Sequence, residues 1–404
     1  MFDIRRLLTF LFIVLFIFSC KKSPTESDPV TVTFPDANLE QVVREAIGKP
    51  TGDILDTDLD SLEILSGSEK EIIDITGIEY CVNLIELDLR YNQISDISKL
   101  SSCVNLVKLR LYRNEISDIT PLLNLVNLEQ LNISYNNIID ISFLSTLVNL
   151  EALYIAGNNI NDISVLSNYT NLKSLSFGIN PIVDYSPISN LTNLKTIAFQ
   201  ELGINNLDFI STLVNLTSLT FRYNDVNDIS ALTNLTQLSS ISGERNQITD
   251  ITPLAGLTNL TSLRLENNQI SDISTLANLV NLRSIRIYDN QISDISPLAN
   301  LTNLVSLFLL NNQITDITPL AGLTNLTYLR LDNNQILSIN ALLNLTNLEK
   351  IYLSENQIDD IVTLVNNTGI DIGDEIWLEN NPLSDISKDT YIPQLEARGV
   401  TVHQ

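Results

Sequence analysis

Apolar residues recur along most of the chain in one fixed order. Between residues 84 and 100 they occupy positions 84, 87, 89, 94, 97 and 100, with Asn92 and Asp96 between them. The order restarts every 22 residues, at 106, 128, 150, 172, 194, 216, 238, 260, 282, 304, 326 and 348. It extends back to Leu62 and resumes at Ile376 after a three-residue insertion, which gives 15 units over residues 62–387. Each L-x-x-L-x-L segment predicts a short strand with buried leucines, and the fixed period predicts that the strands stack into a parallel sheet.

Two polar columns accompany the leucines. Three residues after each L-x-x-L-x-L segment the chain has Asn in 13 of the 15 units: Asn92, Asn114, Asn136, Asn158, Asn180, Asn224, Asn246, Asn268, Asn290, Asn312, Asn334, Asn356 and Asn381. We expect its amide to satisfy backbone groups left open where the chain turns away from the strand. Four residues later Asp recurs in 13 of 15 units, from Asp74 to Asp385, which predicts a capped 3₁₀ turn on the convex side. Calcium binding is the alternative for this column, but one carboxylate per coil supplies fewer oxygens than calcium takes.

The ends of the repeat array have their own patterns. Asp36–Ile47 predicts a cap helix whose buried side chains are Leu39, Val42, Val43, Ala46 and Ile47, with Pro35 before it and Gly48 after it. At the other end, a short helix is predicted from about Ile392 to Arg398, stopped by Gly399. Caps of this kind cover the apolar end coils of a solenoid, which would otherwise aggregate.

The N-terminus predicts an export signal. A basic leader precedes the apolar run Leu7–Phe18, which is too short to cross about 30 Å of hydrocarbon but suits a signal-peptide core. Ile17–Cys20 resembles a permissive bacterial lipobox, so we expect diacylation of Cys20; ordinary secretory cleavage nearby is the alternative. Residues 21–33 form a polar segment with no apolar period, which is typical of a tether. Contact with the membrane is expected only through the lipid.

Composition narrows the classes of function. Lys plus Arg is 23 and Asp plus Glu is 48, so the formal net charge is −25, which disfavours nucleic acid as a partner. A hydrophobic fraction of 44% excludes a disordered acidic chain. The sequence has one His, His403, and three Cys, and it has neither a G-x-S-x-G motif nor a Gly-rich phosphate loop. We therefore expect no enzyme activity, no cofactor and no metal site.

The 22-residue unit, the segment FPDANLEQVVREAIGKP at 34–50 and the lipobox together resemble internalin-like bacterial leucine-rich-repeat proteins. The resemblance covers residues 31–402 and implies an α/β solenoid, a horseshoe with a parallel concave sheet, a 3₁₀ or irregular convex side and a helical N-terminal cap. The expected divisions are a signal peptide at 1–19, a lipidated tether at 20–33, an N-terminal cap at 34–61, the repeats at 62–387 and a C-terminal cap at 388–404. The resemblance also implies a surface protein that binds other proteins through the concave sheet. With the lipobox, this predicts a lipid-anchored protein of the bacterial envelope, at the outer membrane or cell surface.

Residues between the leucines of each strand face the concave side, and two groups of them predict contact sites. The C-terminal group consists of Arg264, Arg286, Tyr288, Phe308, Tyr328, Arg330, Lys350, Tyr352 and Trp377, with Glu266, Asp332 and Glu379 beside them. The smaller N-terminal group consists of Arg90, Tyr91, Lys108, Arg110, Tyr112 and Arg113. Aromatic residues and Arg are enriched at interface hot spots. Solvated strand residues without a ligand are the alternative for both groups.

The pattern of the C-terminal group bears on the kind of ligand. Rings repeated along one column favour a polysaccharide, whereas Arg mixed with rings and bordered by acids favours a protein. Because Arg interrupts the rings of the column, we expect a protein ligand, from a host or from the envelope, bound by a monomer. Polysaccharide binding and self-association within the envelope are the two alternatives.

Cys81 and Cys103 occupy the same core column of adjacent units. Their Cα atoms are expected about 5 Å apart, within disulfide range. Equivalent side chains on parallel strands project side by side, however, so we predict free, buried thiols.

Overall fold

The computed structural model describes residues 28–404, and the predicted signal peptide and lipidation site, Cys20, lie outside them. Sixteen strands of three residues each form one sheet, in which they follow one another in chain order. Its strands are β3 (Ile64–Ser66), β4 (Glu86–Asp88), β5 (Lys108–Arg110), β6 (Gln130–Asn132), β7 (Ala152–Tyr154), β8 (Ser174–Ser176), β9 (Thr196–Ala198), β10 (Ser218–Thr220), β11 (Ser240–Ser242), β12 (Ser262–Arg264), β13 (Ser284–Arg286), β14 (Ser306–Phe308), β15 (Tyr328–Arg330), β16 (Lys350–Tyr352), β17 (Glu375–Trp377) and β18 (Thr401–His403). The predicted solenoid with a parallel sheet is confirmed.

The register of the sheet follows the repeat. All neighbouring strands from β3 to β16 are parallel and pair residues 22 positions apart, as Leu263 with Ile285. The step grows to 25 residues between β16 and β17, where Ile351 pairs with Ile376. The three-residue insertion is therefore absorbed outside the sheet, and the columns on the sheet face continue without a shift.

The core is a set of columns in which one apolar side chain per coil stacks on the next. In one column three coils carry Phe177, Phe199 and Phe221, whose ring centroids lie 5.5 and 6.3 Å apart. The next coil has Gly243 in place of a leucine, and a Cβ there would overlap the Phe221 ring. The large ring of one coil therefore fills the space that the glycine of the next leaves.

Cys81 and Cys103 lie in another core column. Both are free and fully buried, as predicted. Burial raises the pKa of each thiol to about 12.

The Asn column joins each coil to the coil before it. Asn114 is typical: its Nδ2 donates to the carbonyl of Leu89 in the preceding coil at 2.9 Å and to that of Leu111 at 3.1 Å. Its Oδ1 accepts from the N–H of Ile94, also in the preceding coil, at 3.0 Å. The residue before each Asn has a left-handed backbone, as at Arg113 with φ 56°. The predicted role of the amides is confirmed.

The Asp column caps the turns on the opposite side of the coils. Asp96 Oδ1 accepts from the N–H of Ser98 at 2.7 Å, and this hydrogen bond holds the pKa of Asp96 below its ordinary value. In the seventh unit Asn206 replaces Asp and accepts from the N–H of Asp208 at 3.2 Å. The 3₁₀ segments are Asp56–Asp58, Ile78–Tyr80, Ser98–Ser102, Thr120–Asn124, Ser142–Thr146, Ser164–Asn168, Ser186–Asn190, Asp208–Ile210, Ser230–Leu232, Thr252–Leu254, Ser274–Asn278, Ser296–Leu298, Thr318–Gly322 and Asn340–Asn344.

The N-terminal end is closed by helix α1 (Ala37–Ile47) and by a ribbon of strands β1 (Thr31–Val32) and β2 (Ile54–Leu55). Asp36 caps α1 through the N–H groups of Asn38 and Leu39, and its second oxygen accepts from the N–H of Ile73 in the first coil. Leu39, Val42 and Val43 are buried as predicted, but Ala46 is exposed because it lies on the solvent side of the helix. The prediction that the tether extends to residue 33 is also wrong, since Thr31–Val32 is paired and Val32 is buried.

The C-terminal end is closed by helix α3 (Ile392–Ala397), entered through a π-helical turn at Ser387–Tyr391. A shorter helix, α2 (Val362–Asn366), replaces the 3₁₀ turn of the preceding coil. After α3 the chain returns to the sheet as β18, which pairs with β17 so that His403 lies beside Trp377. Within residues 28–404, none of the helices is both long and apolar enough to cross a lipid bilayer.

Candidate functional site

The candidate site is the outward face of the 16-stranded sheet, called the sheet face below. Because side chains alternate along each strand, the leucines enter the core and the residues between them stand on this face. The parallel register aligns them into columns, and Arg264 lies beside Arg286 just as Tyr352 lies beside Trp377. All residues of the two predicted groups lie on or beside this face.

Five rings form a continuous stack at the C-terminal end of the sheet face, called the ring stack. Its centroid distances are 4.9 Å for Phe308–Tyr328, 5.4 Å for Tyr328–Tyr352, 3.8 Å for Tyr352–Trp377 and 4.7 Å for Trp377–His403. The interplanar angles are 24° or less. The expectation that Arg interrupts the rings is wrong. Tyr328, from the neighbouring column, leans past Arg330 and joins Phe308 to Tyr352.

Two arginines cover rings of this stack. The guanidinium carbon of Arg286 lies 4.6 Å from the centroid of Phe308, and that of Arg330 lies 4.6 Å from the centroid of Tyr352. Arg330 is also paired with Asp332 at 3.1 Å. Burial nevertheless raises the pKa of Asp332 above its ordinary value. Lys350 pairs with Glu375 at 3.3 Å at the edge of the stack.

A charged network lies next to the ring stack, toward the middle of the sheet face. Glu244 accepts contacts from Arg222 at 3.9 Å and from Arg264 at 3.3 Å, and Arg264 also pairs with Glu266 at 3.1 Å. Glu244 is 4% exposed and Glu266 2% exposed, so both carboxylates lie beneath the arginines. Burial raises the pKa of Glu266. Burial, together with the nearby Glu266 carboxylate, raises the pKa of Tyr288 as well.

The predicted N-terminal group divides into two parts. Its cations are largely paired: Arg90 with Asp88 at 2.8 Å, and both Arg110 and Lys108 with Glu86, at 2.5 and 3.6 Å. Its rings form an edge-to-face cluster, with centroid distances of 5.1 Å for Tyr91–Tyr112 and 5.3 Å for Tyr112–Tyr135. Arg113 lies within 5.8 Å of the centroids of all three rings.

Strands β7 to β9 separate the two groups. Their residues on the sheet face are mostly small, and they include Ala152, Ala156, Gly157, Ser174, Ser176, Gly178, Thr196 and Ala198. Six strands, β6 to β11, lie between the nearest strands of the two groups at about 4.8 Å spacing, so the structure does not bring the groups into one site.

Sequence reasoning missed several residues of these clusters. Arg222, Glu244 and Tyr135 occupy the same columns as residues that were singled out, so the column rule alone would have found them. His403 was missed because the terminal Val400–Val402 segment was not assigned to the sheet, although its alternation was visible.

Comparison with known proteins supports the repeat and the fold described above. The sequence pattern described as Leucine Rich repeats (2 copies) matches residues 82–124, 126–168, 240–278, 280–322 and 324–366, slightly more than half of the chain. The fold and its repeat thus define a leucine-rich-repeat protein. The structure of an internalin (inlF) from Listeria monocytogenes is 38% identical, with a TM-score of 0.73, over 81% of this chain and 96% of that one. The chain belongs to the internalin family of leucine-rich-repeat proteins.

Other similarities are more limited. Internalin H of Listeria monocytogenes is 36% identical over 75 residues, which is 18% of this chain and only 14% of Internalin H. The functional domain of InlJ from Listeria monocytogenes, whose structure includes a cysteine ladder, shares the fold at 24% identity and a TM-score of 0.64, over 86% of this chain and 80% of that one. A leucine-rich-repeat protein of Leptospira interrogans shares the fold at 19% identity and a TM-score of 0.63, over 86% of this chain and 97% of that one.

Proposed function

We propose that this protein recognises a protein ligand through the sheet face, with the ring stack and its two covering arginines as the main contact. Membership of a family built on a protein-interaction scaffold supports this proposal. The observation that carries it is the ring stack itself. Tyr, Trp and Arg are the residue types that dominate interface hot spots.

The stack is organised before any ligand arrives. Each internal ring is held between two others, so little side-chain freedom remains to be lost on binding. The rings lie face against face, and they therefore present their edges and the Tyr328 and Tyr352 hydroxyls to a ligand. Burial raises the pKa of Tyr352 to about 12, so its hydroxyl stays a neutral hydrogen-bond donor at physiological pH. Ring edges and hydroxyls suit the mixed apolar and polar surface of a protein.

The same geometry weighs against a polysaccharide. Sugars pack flat on exposed ring faces, but here the faces of Tyr328, Tyr352 and Trp377 are covered by neighbouring rings. Arg286 adds a cover on Phe308. A continuous row of rings is thus not a row of open sugar platforms.

We further propose that the chain is a lipoprotein of the bacterial envelope, anchored through Cys20 at the outer membrane or cell surface. The lipobox-like segment and the basic, apolar leader support this location. Each buried methylene of an acyl chain contributes about 0.8 kcal/mol, so two chains on Cys20 hold the protein firmly.

The test compares two double variants of the full chain. Tyr352→Ala with Trp377→Ala removes the centre of the ring stack, and Tyr154→Ala with Thr196→Ala removes two side chains from the middle of the sheet face. Each protein, purified in detergent, is applied to an array of host extracellular and bacterial envelope proteins and to a glycan array. We expect wild type and the Tyr154 variant to bind the same protein, and the Tyr352 variant to lose it.

The stability of both variants must be matched for this comparison. The Tyr352→Ala, Trp377→Ala variant loses three ring pairs, each worth about 0.5–1.5 kcal/mol beyond burial, so the melting temperature of both variants is measured beside their binding. Binding only on the glycan array, or self-association in sedimentation with no protein captured, would contradict the proposal. Equal loss of binding in both variants would also contradict it.

A further inference from the structure

Four consecutive coils each place one arginine on or beside the sheet face. Arg222, Arg245, Arg264 and Arg286 follow or end strands β10 to β13, and together they are called the arginine cluster. The cluster stands out in a chain whose formal net charge is −25. Arg264 and Arg286 are also direct partners in the register of β12 and β13. Like charges placed directly opposite on neighbouring strands are destabilising, so the fold must compensate them or tolerate the repulsion.

Carboxylates compensate only two of the four arginines in the cluster. Arg222 and Arg264 lie over the buried carboxylate of Glu244, and Arg264 also pairs with Glu266. Even there the pairing is incomplete. The Nε atoms of Arg222 and Arg264 and one carboxylate oxygen of Glu266 are buried without a hydrogen-bond partner among the described residues.

Arg245 and Arg286 have no carboxylate oxygen within 4.0 Å in the described part of the chain. Each is instead braced by a ring: Arg245 lies 5.1 Å from the centroid of Tyr223, and Arg286 lies 4.6 Å from that of Phe308. The ring covers one face of the guanidinium and fixes its orientation. The N–H edges stay available, and such an edge matches a carboxylate through two parallel hydrogen bonds.

The two unpaired guanidiniums belong to coils two strand spacings apart, about 10 Å across the sheet. Because Phe308 is both the ring beneath Arg286 and the first ring of the ring stack, the cluster and the stack form one continuous surface. A ligand lying across the strands therefore meets guanidiniums first and ring edges next.

We infer that the protein ligand contributes a segment with several Asp or Glu side chains next to aromatic or apolar ones, the carboxylates pairing with Arg245 and Arg286 and the apolar side chains packing on the ring stack. This inference rests on the proposed function and adds the chemistry of the partner. Charge complementarity supports this inference. The guanidiniums of Arg245 and Arg286 lack a carboxylate partner, whereas most other cations on the sheet face are paired.

The probes are polymers of defined chemistry: a Glu–Tyr copolymer, poly-L-glutamate, and heparin as a sulfated polysaccharide. Binding to the purified full chain is measured by fluorescence anisotropy at 0.15 M salt. At that ionic strength the Debye length is about 8 Å, which screens the repulsion from the acidic convex side. We expect the copolymer to bind more tightly than poly-L-glutamate, and both to bind more tightly than heparin.

Arg245→Gln with Arg286→Gln removes both unpaired charges but keeps side chains of similar length. The matched control is Lys70→Gln with Lys388→Gln, two exposed cations that have no carboxylate within 4.0 Å in the described residues and lie outside the strands of the sheet. We expect the arginine variant to bind the copolymer at least about tenfold more weakly, and the control to stay within about twofold of wild type.

Three results with the polymers would overturn the inference. One is no measurable binding of the copolymer, and another is equal weakening in both variants. The third is heparin binding more tightly than the copolymer with the same dependence on the two arginines, which would identify a sulfated polysaccharide as the ligand. If the Tyr352→Ala, Trp377→Ala variant loses a captured protein while the arginine variant keeps it at full affinity, the acidic-segment inference fails and the proposed function stands.

Discussion

Replacing Asn136 by Ala tests the reasoning about the Asn column. Asn136 is 7% exposed, and its Nδ2 donates to the carbonyls of Leu111 at 3.0 Å and Ile133 at 3.1 Å. Its Oδ1 accepts from the N–H of Ile116 at 3.0 Å. Ala leaves the N–H of Ile116 without a partner, which costs about 1–3 kcal/mol, whereas the carbonyls of Leu111 and Ile133 each keep a hydrogen bond from a neighbouring Asn, Asn114 and Asn158. The two lost bonds to these carbonyls add about 0.5–1.5 kcal/mol each, and a water molecule that enters the vacated space recovers part of the loss, so we expect a total of about 2–4 kcal/mol.

The matched control is Asn127, nine residues before Asn136 in the chain. Asn127 also donates its Nδ2 to the preceding coil, at 3.0 Å from the carbonyl of Val104, but this bond is exposed. Asn127→Ala leaves that carbonyl open to water, so we expect a loss of about 0.5–1 kcal/mol. Urea unfolding followed by circular dichroism measures both changes.

Long repeat arrays can unfold in parts, so a local measurement is needed beside the urea midpoint. Hydrogen exchange supplies it, because Asn136→Ala removes the acceptor of the Ile116 amide. We expect this amide to exchange much faster in the Asn136 variant and unchanged in the Asn127 variant. Equal destabilisation of the two variants, or an Ile116 amide that stays protected, would refute the account of the column.

Three further predictions concern the anchor, the thiols and acid. Cys20→Ala should move the protein from the membrane fraction to the periplasm or medium, and its retention in membranes would contradict the lipoprotein proposal. Cys81 and Cys103, with pKa values near 12, should react with a maleimide at pH 8 only after denaturation, and a crosslinked peptide between them in unreduced protein would contradict this. The pKa of Asp96 is lowered from 3.8 in the folded protein, so the stability that its cap contributes should be lost as the pH falls below that value. Asp96→Asn should leave a smaller fall in melting temperature between pH 5 and pH 3, whereas an unchanged fall would show that the cap is not the titrating contact.

The repeat phase made most of the fold predictable. Once the period is known, an Asn or Asp at a given phase has one position, so the roles of Asn114 and Asp96 follow from the column alone. The wrong predictions concern places where a side chain or a chain end departs from the repeat columns. Tyr328 reaches into the neighbouring column through its rotamer, which no periodicity encodes. Thr31–Val32 is paired because Val32 finds an apolar partner far along the chain.

The sequence predicts which residues belong to the candidate site, but not which of them contact one another. The columns identified the rings and arginines of the C-terminal group, because parallel register alone decides which residues share a face. Whether Arg264 is neutralised and Arg286 is not depends on which way Glu244 and Glu266 turn, and that is a matter of side-chain packing. The same holds for the N-terminal group, where Asp88 and Glu86 turned out to pair with its cations.

The Asn column also means that the coils of the solenoid are completed in order, from the N-terminal end to the C-terminal end. Each Asn completes its own coil and the one before it, and never the one after it: Asn114 serves Leu89 and Ile94 but nothing beyond its own coil. A coil emerging from a ribosome therefore keeps one buried amide, such as that of Ile94, without its acceptor until roughly one further unit has followed. Its maturation lags synthesis by that distance, whereas the first coil has helix α1 ready through Asp36. In an interrupted chain, the unpaired backbone groups would therefore always lie in the most C-terminal coil.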